Sequence, residues 1–124
     1  MTTFNVRLEI GSPSGSAFEE VEAVVDTGST FTAVPRELLM RLGVPATRRQ
    51  RFRIANGQLV ESDVGEATVR IQGMEGTTPV VFGEPGEPIL LGAVTLEQFL
   101  LGVDPVGQRL VPVEGLRVSR REPG

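Results

Sequence analysis

A carboxylate at the end of an apolar run is the feature of this sequence best suited to chemistry. Ala23-Val24-Val25 leads directly into Asp26-Thr27-Gly28-Ser29. The apolar run predicts a buried strand, so Asp26 follows a buried element, where a carboxylate is costly unless it is paired or hydrogen-bonded. Thr27 and Ser29 supply hydroxyls that can donate to it or to the backbone. Gly28 allows a sharp turn in a conformation that other residues resist.

The same motif also has an ordinary interpretation, because Asp-x-Gly beside hydroxyl residues is common turn chemistry. Two features favour a chemical role. One is the apolar approach to Asp26, and the other is a second apolar motif far downstream, Ile89-Leu90-Leu91-Gly92.

The composition excludes several kinds of catalysis. The 124 residues include no Cys and no His, and all 12 basic residues are Arg. Disulfides, thiol nucleophiles, Ser-His pairs, zinc sites and Schiff bases are therefore excluded. Any acid–base catalysis must come from carboxylates, and we expect neither a cofactor nor a metal.

The charge pattern gives no sign of a nucleic-acid or membrane partner. The formal net charge is −4. A cluster of Arg48, Arg49, Arg51 and Arg53 is the exception, and its alternating members predict one solvated strand face rather than a nucleic-acid patch. There is no signal-like N-terminus and no apolar run of membrane-spanning length. We therefore expect a soluble, cytoplasmic protein.

Many short strands separated by turn signals predict a mainly β fold, a barrel or a sandwich, with two small helices. Pro35 to Gly43 predicts the first helix. Thr95 to Gln98 has the spacing of a capping box, which predicts that the second helix begins at Thr95, and Gly102 would end it. We predict one domain over residues 1–114 and a polar tail over 115–124. The predicted strands cover 4–10, 18–25, 30–34, 51–54, 59–62, 67–71, 79–82, 89–92 and 110–111.

The segment Ala55-Asn56-Gly57-Gln58 lies between two extended runs that have little apolar content. Asn-Gly in this setting predicts a hairpin with a type I′ turn, which needs a positive φ at both central residues. We expect this hairpin to project from the body of the protein with an exposed tip.

These motifs, in this order, resemble the retropepsin-like aspartic proteases, in particular their single-domain microbial members. The resemblance rests on Val24 to Ser29, on the Asn56-Gly57 hairpin in the position of the family's flap, and on Ile89 to Gly92 followed by a helix. It extends from Phe4 to about Val113. It implies a closed β-barrel of the acid-protease type that is catalytic only as a homodimer, with one Asp26 from each subunit.

The resemblance also assigns roles to the neighbours of Asp26. Thr27 would hydrogen-bond across the two-fold axis, Gly28 would admit the substrate backbone, and Ser29 would lie near the outer carboxylate oxygen. The apolar residues Ile89, Leu90 and Leu91, together with Gly92, would pack beneath the catalytic loop. A core strand is the ordinary alternative for these four residues.

The chain departs from the family's pattern at the flap. Its tip, Ala55 to Gln58, is not glycine-rich, and the sequence contains no Tyr to act as a pepsin-type flap residue. An alternative function is therefore a non-catalytic dimeric module that binds an extended peptide as an added strand. Val103 to Val113 reads as a further hairpin, which would either form the dimer interface or complete the chain's own barrel.

Two other aspartates are present, and we expect neither to be catalytic. Asp63 lies in a polar strand and should be solvated, whereas Asp104 precedes Pro105 and should form a turn. A second catalytic carboxylate is then expected from a second copy of the chain.

Overall fold

The computed structural model describes residues 3–118. The predicted mainly β architecture with two short helices is confirmed. The strands are β1 (Asn5–Gly11), β2 (Phe18–Val25), β3 (Thr32–Pro35), β4 (Arg48–Arg53), β5 (Leu59–Ile71), β6 (Met74–Gly83), β7 (Leu90–Leu91), β8 (Leu101–Asp104) and β9 (Arg109–Pro112). The helices are α1 (Arg36–Arg41) and α2 (Ala93–Gln98).

Seven strands form one sheet in the order β1-β2-β7-β3-β6-β5-β4. Strand β1 also pairs with β5 through Glu9 to Gly11, which links the two sides of that order. Strand β7 lies between β2, to which it is parallel, and β3, to which it is antiparallel. The loop that joins β2 to β3 therefore passes over the end of β7, and this arrangement places Asp26 against residues from the other end of the chain.

The core is one cluster of branched apolar side chains. Alternate residues of the strands point into it, as the period of two in an extended chain requires, and α1 and α2 add Leu39 and Leu96. Each such side chain contributes about 1.5–3 kcal/mol by leaving water. The members that are less than 2% exposed include Ile10, Leu39, Val34, Val69, Val80 and Leu91.

The strands in the central part of the chain are longer than predicted. Strand β5 has 13 residues and joins the segments 59–62 and 67–71 that were predicted as separate strands. The turn predicted over 73–78 is wrong, because β6 begins at Met74. Gln72 and Gly73 alone connect the two strands, with positive φ angles of 49° and 78°. This is the two-residue type I′ pattern.

The hairpin between β4 and β5 forms as predicted, but its turn type is different. Gly57 has a φ of 88°, and Asn56 is not among the residues with positive φ. The amide of Gly57 donates to the Ile54 carbonyl at 2.9 Å, and the Asn56 side chain accepts from the amide of Gln58 at 2.9 Å. The Asn56 side chain stabilises a three-residue loop in which only the glycine is left-handed.

Helix α1 agrees with its prediction, with Pro35 just before its first residue and Gly43, at φ 76°, just beyond its end. The capping box predicted for α2 is wrong. Gly92 precedes the helix and no side chain caps it, because Thr95 lies inside the helix and its hydroxyl is bonded elsewhere. The helix ends at Gln98, and Gly102 lies in β8.

Strands β8 and β9 form the predicted hairpin as a separate two-stranded sheet. Within residues 3–118, neither strand joins the larger sheet, so the idea that this hairpin completes the main sheet is wrong. Asp104 forms its turn, as predicted, by accepting from the amides of Val106 and Gly107 at 3.1 and 3.0 Å.

The C-terminal tail is only partly described. Residues 115–118 are exposed and have no regular structure, and 119–124 lie outside the described residues. The boundary between domain and tail at residue 114 stays a prediction. Over the described part of the chain, neither helix is long and apolar enough to cross a membrane.

Candidate active site

Three hydrogen bonds at Asp26 fix the loop after β2, one to β7 and two within the loop. The backbone amide of Asp26 donates to the Leu91 carbonyl at 3.1 Å, and its carbonyl accepts from the amide of Ser29 at 3.1 Å. Its carboxylate oxygen Oδ1 accepts from the amide of Gly28 at 3.0 Å. Asp26 is half-buried, whereas Val25 before it is 2% exposed. The predicted placement of this carboxylate at the end of a buried strand is therefore confirmed.

The neighbours of Asp26 differ in how closely they match expectation. Thr27 and Gly28 are exposed, and Gly28 is not among the glycines with positive φ, so the special turn conformation predicted for it is wrong. The hydroxyl of Ser29 donates to the Phe31 carbonyl at 2.9 Å. It therefore stabilises the loop backbone and is not bonded to the Asp26 carboxylate.

The downstream apolar motif supports this loop from below. Leu91 is fully buried, and the amide of Val24 donates to the Ile89 carbonyl at 2.8 Å. The first two amides of α2, those of Ala93 and Val94, donate to the carbonyls of Ser29 and Thr30 at 2.8 and 3.0 Å. The start of the helix thus satisfies its own free amides with loop carbonyls.

Gly92 lies where the two motifs touch. A Cβ atom on this residue would come within 2.5 Å of the Phe31 carbonyl carbon and 2.9 Å of the Ser29 carbonyl oxygen. Its φ of −94° is open to any residue. Close backbone approach, rather than backbone conformation, therefore requires glycine at this position.

Three buried threonines beneath the loop were not identified from the sequence. The Thr95 hydroxyl lies 2.6 Å from that of Thr32 and 2.8 Å from that of Thr78, and the Thr32 hydroxyl accepts from the amide of Gly92 at 3.1 Å. The one available signal was the position of Thr95 on the helix, one residue before the apolar Leu96, where a polar residue was interpreted as a cap.

A groove of about 820 Å³ runs between the Asp26 loop and the β4–β5 hairpin. Asp26, Gly28 and Ser29 line one side and Ala55 lines the other, so the structure brings these predicted residues together. Asn56, Gly57 and Gln58 are exposed at the hairpin tip and do not line it. The rest of the wall is mainly apolar or aromatic and also includes charged and polar residues. It consists of Thr30, Phe31, Ala33, Phe52, Arg53, Ile54, Val60, Glu61, Ser62, Val81, Phe82, Gly83, Glu84, Glu87 and Leu90.

An aromatic pair connects the loop to the hairpin. The rings of Phe31 and Phe52 meet edge to face with centroids 5.7 Å apart, a geometry that adds about 0.5–1.5 kcal/mol to the burial of the two rings. The guanidinium of Arg48, which lies in β4 like Phe52, is 5.8 Å from the centre of the Phe31 ring. The hairpin therefore contacts the loop, whereas its polar composition predicted an arm that projects freely from the protein.

Asp63 holds the base of the hairpin and is not solvated as predicted. Its two carboxylate oxygens accept from Arg36 at 2.7 Å and from Arg49 at 3.0 Å, and only 20% of its side chain is exposed. The hydrogen bond from Arg36 is the main cause that lowers the pKa of Asp63, and Arg49 adds to it. Arg49 and Arg53 lie on the exposed face predicted for the arginine cluster.

The carboxylates show no arrangement for a metal. Among residues 3–118, no three of the metal-binding acidic side chains come together. The pKa of Asp104 is lowered as well, first by the amide of Gly107 and then by Arg109 and Val106, which agrees with a structural role in its turn. Asp26 alone among the three aspartates lines the groove.

Comparison with known proteins identifies the family. The sequence model of a family described as aspartyl protease matches residues 6–104, which include the Asp26 loop, the hairpin and the motif at Leu91. The chain belongs to the aspartyl protease family. The predicted membership of the retropepsin-like group is confirmed. The comparison with curated protein sequences found no match.

Solved structures of other retropepsin-like proteins share the fold of this aspartyl protease family member. Simian foamy virus (mac) protease aligns with a TM-score of 0.55 at 23% identity, covering 76% of this chain and 92% of that one. The retroviral protease-like domain of Ddi1 from Leishmania major gives 0.57 at 17%, covering 90% and 89%. A retropepsin-like aspartic protease from Rickettsia conorii gives 0.53 at 21%, covering 83% and 88%. At these identities the likeness shows the fold alone.

Proposed function

We propose that this protein is an aspartic endopeptidase that acts as a homodimer, with one Asp26 from each subunit. The observation that carries the proposal is the position of Asp26 on one side of the groove, on a loop fixed by backbone bonds. Family membership supports the same conclusion. The other aspartates are engaged elsewhere, Asp63 with two arginines and Asp104 in its turn, so a second copy would supply the second carboxylate.

The chemistry follows from bringing two carboxylates together. Two such groups in contact cannot both ionise cheaply, so the pair holds one proton. The ionised member takes a proton from a water molecule, whose oxygen attacks the scissile carbonyl carbon, while the protonated member donates to the carbonyl oxygen. The bond from the Gly28 amide to Asp26 would hold the carboxylate in one orientation.

The proposed assembly also assigns roles to the exposed residues. Thr27, exposed beside Asp26, would bond to its counterpart across the two-fold axis. The β8–β9 hairpin would contribute to the interface, and the 94% exposure of Val106 at its tip supports this. The circuit of pairings from β1 through β2, β7, β3, β6 and β5 back to β1 supports a closed barrel.

The substrate would be a peptide lying extended in the groove. Its aromatic and aliphatic wall suits apolar side chains. In the described part of the chain, β4 pairs with β5 alone, so its outer edge is available for main-chain pairing. This edge also supports the second candidate function, a dimeric module that binds peptides without cutting them.

Asp26→Asn is the decisive variant. It should abolish cleavage of a diverse peptide library over acidic to neutral pH, while sedimentation shows the dimer unchanged. Loss by several orders of magnitude is expected, because the general base is removed. Glu66→Gln is the control, since this exposed carboxylate lies outside the groove, and it should retain activity. Hydroxyl-bearing statine-type inhibitors should block the wild-type protein.

Three results would contradict the proposal. A fully active Asp26→Asn protein would exclude the catalytic role of this residue. A wild-type dimer that binds peptides and never cuts them would favour the binding module. A protein that stays monomeric at high concentration would exclude both functions.

A further inference from the structure

Three buried hydroxyls meet at one point beneath the Asp26 loop. Thr32 on β3, Thr78 on β6 and Thr95 on α2 are 1%, 0% and 1% exposed. Thr95 is the central member, because it bonds to both of the others. Threonine gives no advantage over apolar residues in packing a core, and it is not a strong helix former. The hydrogen bonds among these three threonines therefore indicate a role other than filling the core.

The network is joined directly to the backbone that carries Asp26. Thr32 immediately follows the loop, and its hydroxyl also accepts from the amide of Gly92. The next two amides of the chain, those of Ala93 and Val94, hold the carbonyls of Ser29 and Thr30. The position of α2 therefore sets the position of the loop.

We propose that Thr95 is a positioning residue that fixes α2 against β3 and β6 and thereby holds Asp26 in its catalytic orientation. Helix α2 has only six residues, of which Thr95 and Leu96 are buried. A hydroxyl accepts and donates along defined directions. Two such bonds from the middle of the helix constrain its rotation in a way that apolar packing does not. The inference rests on the proposed function for its catalytic consequence.

The test compares two threonine-to-valine variants. Thr95→Val keeps the volume and removes the hydroxyl. Thr68→Val is the matched control, because Thr68 is also buried, at 4% exposure, and its hydroxyl donates to the Ser12 carbonyl at 2.7 Å, away from the groove. Both variants leave buried polar groups without a partner and should lose global stability. A purely structural role for Thr95 predicts that the two variants behave alike in every respect.

Two readouts separate positioning from stability. The first is native-state amide exchange at Ala93 and Val94, expressed relative to the amide of Ile10 in the core. Thr95→Val should speed it by about 10-fold, and Thr68→Val should leave it unchanged. The second is kinetics. Thr95→Val should lower kcat by about 10-fold with KM within about 2-fold, because the reacting carboxylate moves while the groove wall stays. Thr95→Ser should restore both readouts.

The exchange measurement does not depend on catalysis. If the wild-type protein cuts no peptide, the proposed function fails, and exchange at Ala93 and Val94 still decides whether Thr95 fixes the helix. If the wild type cuts peptides and Thr95→Val matches Thr68→Val in exchange and in kcat, the positioning role is overturned. Should Thr95→Val fail to fold, Thr78→Val removes the bond at the end of the network furthest from the loop, and the same outcomes apply to it.

Discussion

The two sides of the groove are held by contacts of opposite kinds. The Asp26 loop rests on buried groups: Gly92 in backbone contact and three threonines that are at most 1% exposed. The β4–β5 hairpin is held at its base by Asp63 with Arg36 and Arg49, whose side chains are 43% and 59% exposed. Further along, the edge-to-face pair of Phe31 and Phe52 joins the hairpin to the loop.

This difference indicates which side can move. Contacts made of buried backbone and hydroxyl groups resist displacement, because opening them leaves polar groups without water or partners. Exposed ion pairs break at little cost, since water replaces the lost interaction. We therefore expect the loop to be the fixed side of the groove and the hairpin to be the side that adjusts. Three substitutions test this contrast, in addition to those at Asp26 and Thr95.

The largest effect is expected at Gly92. Gly92→Ala should lower the free energy of unfolding by about 2–3 kcal/mol or more, because the added Cβ meets the Phe31 and Ser29 backbone at 2.5–2.9 Å. Chemical denaturation measures the change. Gly76→Ala is the control, since its Cβ would meet only the Phe99 ring at 3.4 Å. Equal losses in the two variants would mean that the loop side is not tightly fixed.

An intermediate effect is expected at Phe52. Phe52→Ala should lower the unfolding free energy by about 1–2 kcal/mol, which is less than for a fully buried Phe because this ring is only half-buried. In peptide-cleavage assays it should raise KM more than it lowers kcat, because it loosens the hairpin side alone. Phe52→Leu keeps apolar volume without an aromatic edge, and its unfolding free energy should lie between those of the wild type and Phe52→Ala. A kcat loss as large as that expected for Thr95→Val would argue against separate roles for the two sides.

The smallest effect is expected at Asp63, and it depends on pH. The pKa of this carboxyl is lowered in the folded protein. Its ion pairs therefore stabilise the fold above the unfolded value of about 3.9, and this contribution is lost as the pH falls through the folded pKa. Asp63→Asn should lower the free energy of unfolding at neutral pH, as measured with urea. Between about pH 5 and pH 2, this free energy should fall less steeply in the variant than in the wild type. Glu66→Gln, on the exposed face of the same strand, is the control.

That experiment also bears on the proposed enzyme. Any cleavage assay at acidic pH would be run under conditions that weaken the Arg36–Asp63–Arg49 contacts, because Asp63 becomes protonated there. The buried threonines carry no charge and should be unaffected. An Asp63→Asn profile that keeps the full acid dependence of the wild type would show that other carboxylates, such as Asp104 with its lowered pKa, dominate it.

Local patterns in the sequence predicted much of the fold. Alternation gave β1, the apolar run gave β2 and the position of Asp26 at its end, and Asn56-Gly57 gave the hairpin. Each of these signals lies within a few consecutive residues, so the sequence itself contains the information. The turn type failed at Asn56 because that side chain accepts from the amide of Gln58, an interaction that competes with the type I′ backbone.

Features that depend on distant partners were not predictable in this way. Thr95 was read as a helix cap because its two partners, Thr32 and Thr78, are 63 and 17 residues away. Asp63 was read as solvated because Arg36, its principal partner, is 27 residues away. Ser29 is expected near the carboxylate from the sequence, whereas in the structure its hydroxyl donates to the Phe31 carbonyl. In each case a side chain chose among partners that only the folded chain presents.

The insertion of β7 between β2 and β3 has a consequence for biosynthesis. Residues near Asp26 acquire their supporting partners only when Leu91 to Thr95 are present. Such long sequence separation delays the contact during folding, and a chain emerging N-terminus first from the ribosome lacks those partners until most of it has been translated. The Asp26 loop therefore gains its support only late in synthesis, and the proposed active site would be incomplete until then.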